Sequence, residues 1–328
     1  MSKSVGKFTL AAVFVIVFAA LSGRSNGDGL QIGFYRGKCR FIDVESAVGA
    51  VIAAWHRKDP TITAALLRMQ FHDCFVNGCD ASILLDGSNS EKTAIPNLSV
   101  RGYEIIESAK RVLEAMCPRV VSCADIIVMA TRDAVSMSGG GRYPVQTGRK
   151  DGTVSLASNV NLPAPSISVS DSIKAFAAKG LNANDMVYLL GGHTVGIAHC
   201  SLIMDRLYNF NNTGKPDPTM DATLLASLRA RCPQNATVDN IANLDQNPMS
   251  SLTVDNSYFK QIVMRKGVLQ IDQELALDPL SSSTVNAIAK GSGFSAGFAQ
   301  AMIKLGAVQV LTGAQGEIRR VCNATLSS

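Results

Sequence analysis

Two side chains capable of acid–base and electrostatic chemistry lie four residues apart in the stretch 68–82, which reads RMQFHDCFVNGCDAS. A helix would place Arg68 and His72 on the same face at this spacing. The residues just before them are nearly all apolar, which is typical of a buried helix. A buried cation needs a partner or a function. Two interpretations stay open: a salt bridge from Arg68 to Asp73 or another nearby acid beside a hydrogen-bonded core histidine, or a catalytic pair.

The residues that follow His72 offer oxygen ligands to a cation. Side-chain and carbonyl oxygens lie along a short loop with a glycine, as a Ca²⁺ site requires; they belong to Asp73, Val76, Gly78, Asp80 and Ser82. Cys74 and Cys79 could close this loop as a disulfide. Zinc binding is the rival interpretation, but no second cysteine pair lies nearby, which makes a weak zinc pattern.

The second half of the chain holds a further histidine and a further set of oxygen ligands. His193 follows two glycines at the end of a predicted helix, so its side chain is free to point off the helix terminus. The oxygen ligands are Thr194, Asp245, Ser250, Thr253 and Asp255. Each acid alone is more simply a helix cap, and we interpret His199 as structural. Asp272 lies in the short segment LQIDQEL.

The elements that must position these residues are mainly helices. Periodicity predicts helices over 33 to the mid-50s, about 60–72, 105–116, 123–135, 169–179 and 184–190. Asp59 is the expected N-cap of the second helix, and Asn182 with Asp185 caps the last. The segment Leu162-Pro163-Ala164-Pro165 is an extended linker and the best candidate for a lobe boundary. Strand signals are scarce.

Composition and the N-terminus indicate a secreted globular protein. At 328 residues and 47% hydrophobic, the chain can bury a substantial core in one large domain or two. Residues 1–29 are typical of a secretory signal peptide, with Lys3 and Lys7 before an apolar run at 8–21 that is too short for a membrane span. Removal of this leader takes the net charge from +5 to +3. No stripe of basic and aromatic residues indicates nucleic-acid binding.

Cysteine usage and glycosylation sequons agree with secretion. All eight cysteines follow the leader, and an even number behind a signal peptide predicts four disulfides whose pairing the sequence does not choose. Sequons occur at Asn211, Asn235 and Asn323. Asn97-Leu98-Ser99 is a fourth, which we expect to be unmodified.

Six motifs, in order along the chain, resemble the secretory plant haem peroxidases of class III: residues 68–82, VSCAD at 121–125, NLPAP at 161–165, GGHTVG at 191–196, VDNSY at 254–258 and IDQEL at 271–275. The resemblance implies a mainly α, two-lobed helical haem peroxidase fold with non-covalent haem b between the lobes and four disulfides. The distal lobe would span 30–168, with a C-terminal helix of about 293–328 packing back on it. The proximal lobe would span 169–292.

The resemblance also implies roles around the haem. His193 would be the axial ligand of the iron, and Asp272 would accept its other ring N–H. His72 would be the acid–base catalyst and Arg68 would stabilise developing charge.

Three further residues complete the implied haem site. Asn97 would keep His72 basic, Phe71 would shield the oxidised iron, and the carbonyl of Pro163 would accept a hydrogen bond from the donor.

Two calcium sites and a disulfide scheme follow from the same resemblance. The distal Ca²⁺ would be bound by Asp73, Val76, Gly78, Asp80 and Ser82, with Glu91 through a water; the proximal Ca²⁺ by Thr194, Asp245, Ser250, Thr253 and Asp255. For the proximal site the segment 245–255 is longer than expected, with Pro248 where a threonine ligand would stand. The implied disulfides join Cys39 to Cys117, Cys74 to Cys79, Cys123 to Cys322, and Cys200 to Cys232.

The implied activity is reduction of hydrogen peroxide to water, with oxidation of small phenolic donors by two one-electron steps through a ferryl porphyrin-radical intermediate. The protein would be a monomer of the apoplast or cell wall, with no nucleic-acid partner and no membrane span. An alternative is a secreted, disulfide-stapled Ca²⁺-binding wall protein without turnover. A zinc hydrolase using His72 and His193 is disfavoured, since the chain has no H-E-x-x-H motif.

Overall fold

A computed structural model of the protein describes residues 29–327, and within them the fold is mainly helical, as the sequence predicts. The predicted leader, apart from Gly29, lies outside the described residues. The helices are α1 Val44–Lys58, α2 Ile62–Val76, α3 Tyr103–Met116, α4 Cys123–Met137, α5 Val169–Ala178, α6 Ala183–Leu190, α7 Met204–Tyr208, α8 Ala222–Arg231, α9 Ser257–Val263, α10 Gln270–Leu277, α11 Ser282–Lys290 and α12 Phe294–Leu305. None of these helices is long and apolar enough to cross a membrane.

Two small antiparallel sheets join distant parts of the chain. Strand β1 (Gln31–Ile32) pairs with β2 (Gln146–Thr147), with Gln31 opposite Thr147. Strand β3 (Ile197–His199) pairs with β4 (Ile241–Asn243), with Ala198 opposite Ala242. The second sheet therefore ties the chain just after His193 to the segment that leads to Asp245.

The helices pack in two groups. In the first, α1 and α2 both lie against α4, and α3 lies against α1. Helix α4 is the centre of this group, because every residue from Cys123 to Val135 is buried. In the second group α6 packs on α12, and α9 packs on α10 and α11. The division into two lobes at 168/169 stays a prediction.

Helix boundaries match the sequence prediction in some places and differ in others. The capping box of α6 is confirmed, since the Asn182 side chain accepts from Asp185 N–H and the Asp185 carboxylate accepts from Asn182 N–H. The predicted helical start at residue 33 is wrong. Gly33 and Gly37 have φ of +72° and +74°, and α1 begins only after Asp43, whose side chain caps it.

Helix α2 begins later and ends later than predicted. Its N-cap is Thr61 rather than Asp59, whose carboxylate instead accepts a hydrogen bond from the Thr61 N–H. The helix continues one turn beyond His72, to Val76. Both Arg68 and His72 therefore lie well inside a regular helix, where their relative position is fixed.

The predicted C-terminal helix of about 293–328 is wrong in its extent. Helix α12 ends at Leu305 and packs on α6. The chain beyond it consists mainly of turns and isolated β-bridges, and it returns to the first group of helices: Gly306 O accepts from the buried Arg149, and Leu311 forms a β-bridge with Lys150. Glycines at 313 and 316, both with positive φ, prevent a continuous helix here.

Four disulfides close the fold and join the same pairs that the resemblance implies. Three of them join segments that are distant in the sequence, namely Cys39–Cys117, Cys123–Cys322 and Cys200–Cys232. The fourth, Cys74–Cys79, joins the last turn of α2 to the loop behind it. This bond holds the oxygen-rich loop against the helix that carries His72.

Candidate active site

Arg68 and His72 lie side by side on α2, as their spacing predicts. The Nε–H of Arg68 points at Nε2 of His72 across 3.3 Å. The terminal guanidinium nitrogens donate to the carbonyl of Pro96 (2.8 Å) and to the hydroxyl of Ser99 (3.0 Å). Asp73 does not take Arg68 as its partner; it accepts instead from the N–H of Ala81. The guanidinium is therefore held by the loop after residue 95 and directed at the histidine.

His72 is oriented by a hydrogen bond at Nδ1 and is kept neutral by burial and by Arg68. Its Nδ1 lies 2.6 Å from Oδ1 of Asn97, and Nδ2 of Asn97 donates to the carbonyl of Glu91. Because the amide is oriented by that second bond, Nδ1 carries the proton and Nε2 presents its lone pair. The ring is 8% exposed. Burial, followed by the positive charge of Arg68, lowers the pKa of His72 to about 4.

Asn97 and Ser99 belong to one short loop that positions both members of the pair. Asn97 ends the 3₁₀ turn Ile95–Asn97 and is buried, so the sequon at Asn97 has no side-chain amide free for a glycan. This geometry agrees with our expectation that the sequon is unmodified. Ser99 was not identified from the sequence, because nothing in its local pattern shows that Arg68 is its partner.

His193 lies just after α6, in the 3₁₀ turn Gly191–Thr194. A Cβ on Gly191 would come within 2.9 Å of the rings of Phe259 and Phe294, so only glycine allows the turn to pack this closely. Nδ1 of His193 lies 2.7 Å from Oδ1 of Asp272 on α10, which is fully buried. The His193 side chain is 30% exposed, and Nε2 is the nitrogen left to bind a ligand.

Asp272 gives His193 an electrostatic environment opposite to that of His72. Burial disfavours the charged imidazole, but the Asp272 carboxylate outweighs burial and raises the pKa of His193. Oδ1 of Asp272 also accepts a hydrogen bond of 2.8 Å from the Tyr258 hydroxyl. Burial and the neighbouring carboxylate raise the pKa of Tyr258, so it stays a neutral phenol. Tyr258 lies in the VDNSY motif, but nothing in that motif indicates its bond to Asp272.

The site fits a haem held between α2 and the His193 turn, which lie next to each other. His193 offers an uncommitted ring nitrogen and an open face. From α2 come a neutral base, an oriented guanidinium and the partly exposed ring of Phe71, which stacks on Phe75 at 4.5 Å between ring centroids. One axial nitrogen on one side and an acid–base pair on the other are the donor set that a haem enzyme needs.

The first oxygen cluster is buried and short of hydrogen-bond donors. Its buried side-chain oxygens without a hydrogen-bond partner are Asp73 Oδ1, Ser82 Oγ and Glu91 Oε2. Burial and mutual repulsion raise the pKa values of its acids: that of Asp73 lies well above its usual range, and that of Glu91 rises to about 7. A bound cation would satisfy these oxygens and relieve the repulsion.

The two residues predicted to bind the ion through backbone carbonyls, Gly78 and Val76, differ in how well their surroundings suit a cation. Gly78 has φ of +106°, and a Cβ there would clash with the carbonyl of Gln309, so glycine is required. The carbonyl of Val76, in contrast, accepts a hydrogen bond from the ammonium of Lys179. That positive charge would repel a cation, which makes Val76 the weakest member of the predicted set.

The second oxygen cluster combines a residue that precedes β4 in the chain with residues that follow it. The Thr194 hydroxyl donates to the Thr253 carbonyl (3.1 Å) and lies 3.4 Å from Asp255. Ser250 donates to the buried carboxylate of Asp245 (2.7 Å). Ser257 bridges these two parts, since its N–H donates to Asp255 and its hydroxyl approaches Asp245.

Neither oxygen cluster offers enough charged side chains to bind a metal ion with those side chains alone. Among residues 29–327, no three histidine, cysteine, aspartate or glutamate side chains are grouped closely enough to hold a metal ion by themselves. A cation bound at either cluster would therefore depend on carbonyl and hydroxyl oxygens as well as carboxylates, which is the ligand set that Ca²⁺ takes.

Pro163 lies in the wall of an open surface cavity of about 370 Å³. Leu162, Ala164, Ile167 and Ala175 give this cavity an apolar lining, with polar groups from Asn161 and Ser166. A small aromatic molecule with one hydroxyl group suits such a lining.

The sequence matches known proteins over nearly its whole length. The peroxidase family profile, described as Peroxidase, matches residues 48–291. Peroxidase 60 of Arabidopsis thaliana is 51% identical over 326 residues, which cover 98% of each chain. Peroxidase 57 of Arabidopsis thaliana is 50% identical over 94% of each chain, and peroxidase N1 of Nicotiana tabacum is 45% identical over 91% of each.

The environments of His72 and His193 and the sequence similarity to known peroxidases support the same family assignment. The fold that carries the site is mainly helical and closed by four disulfides, as the resemblance implies. This chain therefore belongs to the peroxidase family, and within it to the haem peroxidases of plants known as class III.

Proposed function

We propose that this haem peroxidase divides its chemistry between His193, which binds the iron, and His72, which moves protons on the opposite face. The observation that carries this assignment is the difference between their Nδ1 partners. Nδ1 of His72 faces a neutral amide, and burial with the Arg68 charge keeps the ring uncharged, whereas a buried carboxylate faces Nδ1 of His193 and makes that ring electron-rich. The alternative of a Ca²⁺-binding wall protein without turnover would need neither arrangement.

Haem b, bound without a covalent link, is the cofactor we assign, since the chain has no C-x-x-C-H motif. When bound, it supplies the iron that receives the oxidising equivalents of hydrogen peroxide. Nε2 of His193 would hold that iron, and Asp272 would orient the imidazole and increase its basicity. Phe71 would cover the opposite face and limit the access of donors to it.

On the His72 side, proton transfer and charge stabilisation assist cleavage of the peroxide. Nε2 of His72 accepts the proton from the near oxygen of hydrogen peroxide and delivers it to the far oxygen, which leaves as water. The Arg68 guanidinium stabilises the negative charge that develops on the leaving oxygen. Asn97 and Ser99 hold these two side chains in place.

We assign small phenols as donors, each giving up one electron and one proton. The cavity beside Pro163 would hold the ring, and the Pro163 carbonyl would accept a hydrogen bond from the hydroxyl. The size and apolar lining of that cavity support this class of donor.

Two Ca²⁺ ions would occupy the oxygen clusters. The first would be bound by Asp73, Gly78, Asp80 and Ser82, with Val76 as the weakest ligand and Glu91 reached through a water. The second would be bound by Thr194, Asp245, Ser250, Thr253 and Asp255. The unsatisfied buried oxygens of the first cluster support its assignment most strongly.

We further propose secretion to the apoplast or cell wall as a monomer with two lobes, at 30–168 and 169–292. Four disulfides and the predicted leader support an extracellular location. Asn211, Asn235 and Asn323 are all exposed and are the expected glycosylation sites.

Replacement of His72 by leucine should lower the rate of reaction with hydrogen peroxide by roughly 10²–10⁴-fold, because the proton would have no acceptor. The Soret band of bound haem should be retained. Stopped-flow absorbance at the Soret wavelength measures the rate. His56→Leu is a matched control, since His56 is a partly buried histidine that contacts Ser138, outside the proposed haem site. Equal rates in wild type and His72→Leu would remove His72 from this role.

The same rate constant should stay high at neutral pH and fall as pH drops through about 4, because only neutral His72 accepts a proton. Asn97→Asp would place a carboxylate against Nδ1, which favours the protonated ring and should move the acid limb upward by roughly 1–3 pH units. Stopped-flow pH profiles of the two proteins measure the shift. An unchanged midpoint in Asn97→Asp would show that His72 does not set the acid limb.

Removal of calcium by prolonged chelation should lower the melting temperature and perturb the haem spectrum. A ligand present at 100 times its Kd contributes about 2.7 kcal/mol of stability, which is lost with the ion. Calorimetry measures the melting temperature, absorbance measures the haem spectrum, and metal analysis before and after chelation measures the calcium content. Asp80→Asn should lose part of this response, whereas Asp171→Asn on the surface of α5 should keep it. A chelated protein with unchanged metal content, spectrum and melting temperature would contradict the calcium assignment.

A further inference from the structure

A row of aromatic rings runs from the His193 ring towards the protein surface. The His193 and Tyr258 rings meet edge to face, with 6.1 Å between their centroids. From Tyr258 the row continues to Phe259 at 5.0 Å and to Phe294 at 5.4 Å. It ends at Tyr188, whose ring is stacked on Phe294 at 6.5 Å. Each step is within the range of a direct aromatic contact.

Glycines make this close packing possible. Gly191 lies two residues before His193, and a Cβ there would come within 2.7–2.9 Å of Phe294 and Phe259. On α12, a Cβ at Gly297 would come within 2.2 Å of the Tyr188 ring. The row therefore crosses the contact between α6, α9 and α12 without a larger side chain to separate the rings.

The two tyrosines differ in their surroundings. The Tyr258 ring is 1% exposed, and its hydroxyl donates to Asp272, so a proton acceptor is already in place. Tyr188 on α6 is partly exposed. A phenol with a ready proton acceptor can give up an electron without leaving a buried cation. A partly exposed phenol can then exchange an electron and a proton with a molecule outside.

We propose that Tyr258 and Tyr188 form an electron path and that Tyr188 is a second oxidation site, for donors too bulky to enter the cavity beside Pro163. The substrate class is a large one-electron donor, such as a phenolic polymer or a reduced redox protein. The proposal rests on the proposed function, because the oxidising equivalents come from hydrogen peroxide at the haem bound by His193.

The electrons and protons balance in three steps. Tyr258 passes one electron towards the peroxide-oxidised cofactor and its hydroxyl proton to Asp272, which leaves a phenoxyl radical. Tyr188 then reduces that radical through Phe259 and Phe294, the proton returns from Asp272 to Tyr258, and Tyr188 loses its own proton to solvent. The Tyr188 radical finally takes one electron from the bulky donor and one proton from solvent or from that donor.

The first test is electron paramagnetic resonance of the haem-loaded protein, frozen rapidly after one equivalent of hydrogen peroxide and without donor. We expect a tyrosyl radical signal in the wild type and its loss in Tyr258→Phe. Tyr188→Phe should keep a radical, now confined to Tyr258 and with altered hyperfine splitting. Tyr208→Phe is the matched control, because Tyr208 is partly exposed but lies outside the row, and its signal should match the wild type.

The second test compares a bulky donor with a small one. Ferrocytochrome c serves as the bulky donor, at a salt concentration that screens the positive charge of both proteins; guaiacol is the small donor. Tyr188→Phe should lose most of its oxidation of ferrocytochrome c and keep its oxidation of guaiacol. Tyr208→Phe should keep both.

The outcomes separate this proposal from the proposed function. A Soret band that does not respond to peroxide would overturn both. A normal Soret response and normal guaiacol oxidation, with ferrocytochrome c oxidised equally by wild type and Tyr188→Phe, would overturn the surface site alone. A tyrosyl signal unchanged in Tyr258→Phe would overturn the path.

Discussion

The acceptor of the Nδ1 proton decides what each histidine of the site can do, and the rest of the structure holds those two acceptors in place. Asn97 is a neutral acceptor fixed by the carbonyl of Glu91, so it orients His72 without adding a charge that would offset burial and Arg68, which keep the ring neutral. The Asp272 side chain is fully buried and faces Nδ1 of His193, where it raises the pKa of that imidazole and makes it more basic. Identical side chains thus acquire opposite chemistry from partners that lie 25 and 79 residues away in the chain.

Both acceptors depend on parts of the fold that contribute no catalytic group. The loop that carries Asn97 begins at Glu91, a member of the first oxygen cluster, so an ion there would stabilise the position of the catalytic base. The turn that carries His193 continues to Thr194 and the second oxygen cluster. A calcium ion at the first cluster would therefore stabilise the His72 side of the proposed haem site, and one at the second cluster would stabilise the His193 side. This arrangement explains why buried acids, which are costly in isolation, lie so close to the centre.

Sequence reasoning predicted features that depend on local pattern and missed those that depend on distant contacts. The capping box of Asn182 and Asp185 and the shared face of Arg68 and His72 follow from spacing alone. The start of α1 was misplaced because apolar periodicity does not reveal that Gly33 and Gly37 adopt positive φ.

Contacts between distant segments set the rest of the site. Nothing near Ser99 in the sequence indicates Arg68 as its partner, and nothing near Tyr258 indicates its bond to Asp272. The roles of His193, Asp272 and Pro163 came from family resemblance rather than from residue chemistry, since a lone histidine or acid is more often structural. The return of the C-terminal segment to the first group of helices depends on Arg149 and Cys123, neither of which periodicity connects to it.

The most direct test of the two-histidine account is the visible absorption spectrum of the calcium-replete protein, folded with haem and mixed with one equivalent of hydrogen peroxide. The account predicts a ferric Soret band that shifts and loses intensity within the mixing time and recovers when guaiacol is added. A Soret band that does not respond to peroxide would contradict the role of His72 while keeping that of His193. Failure to bind haem at all would contradict both.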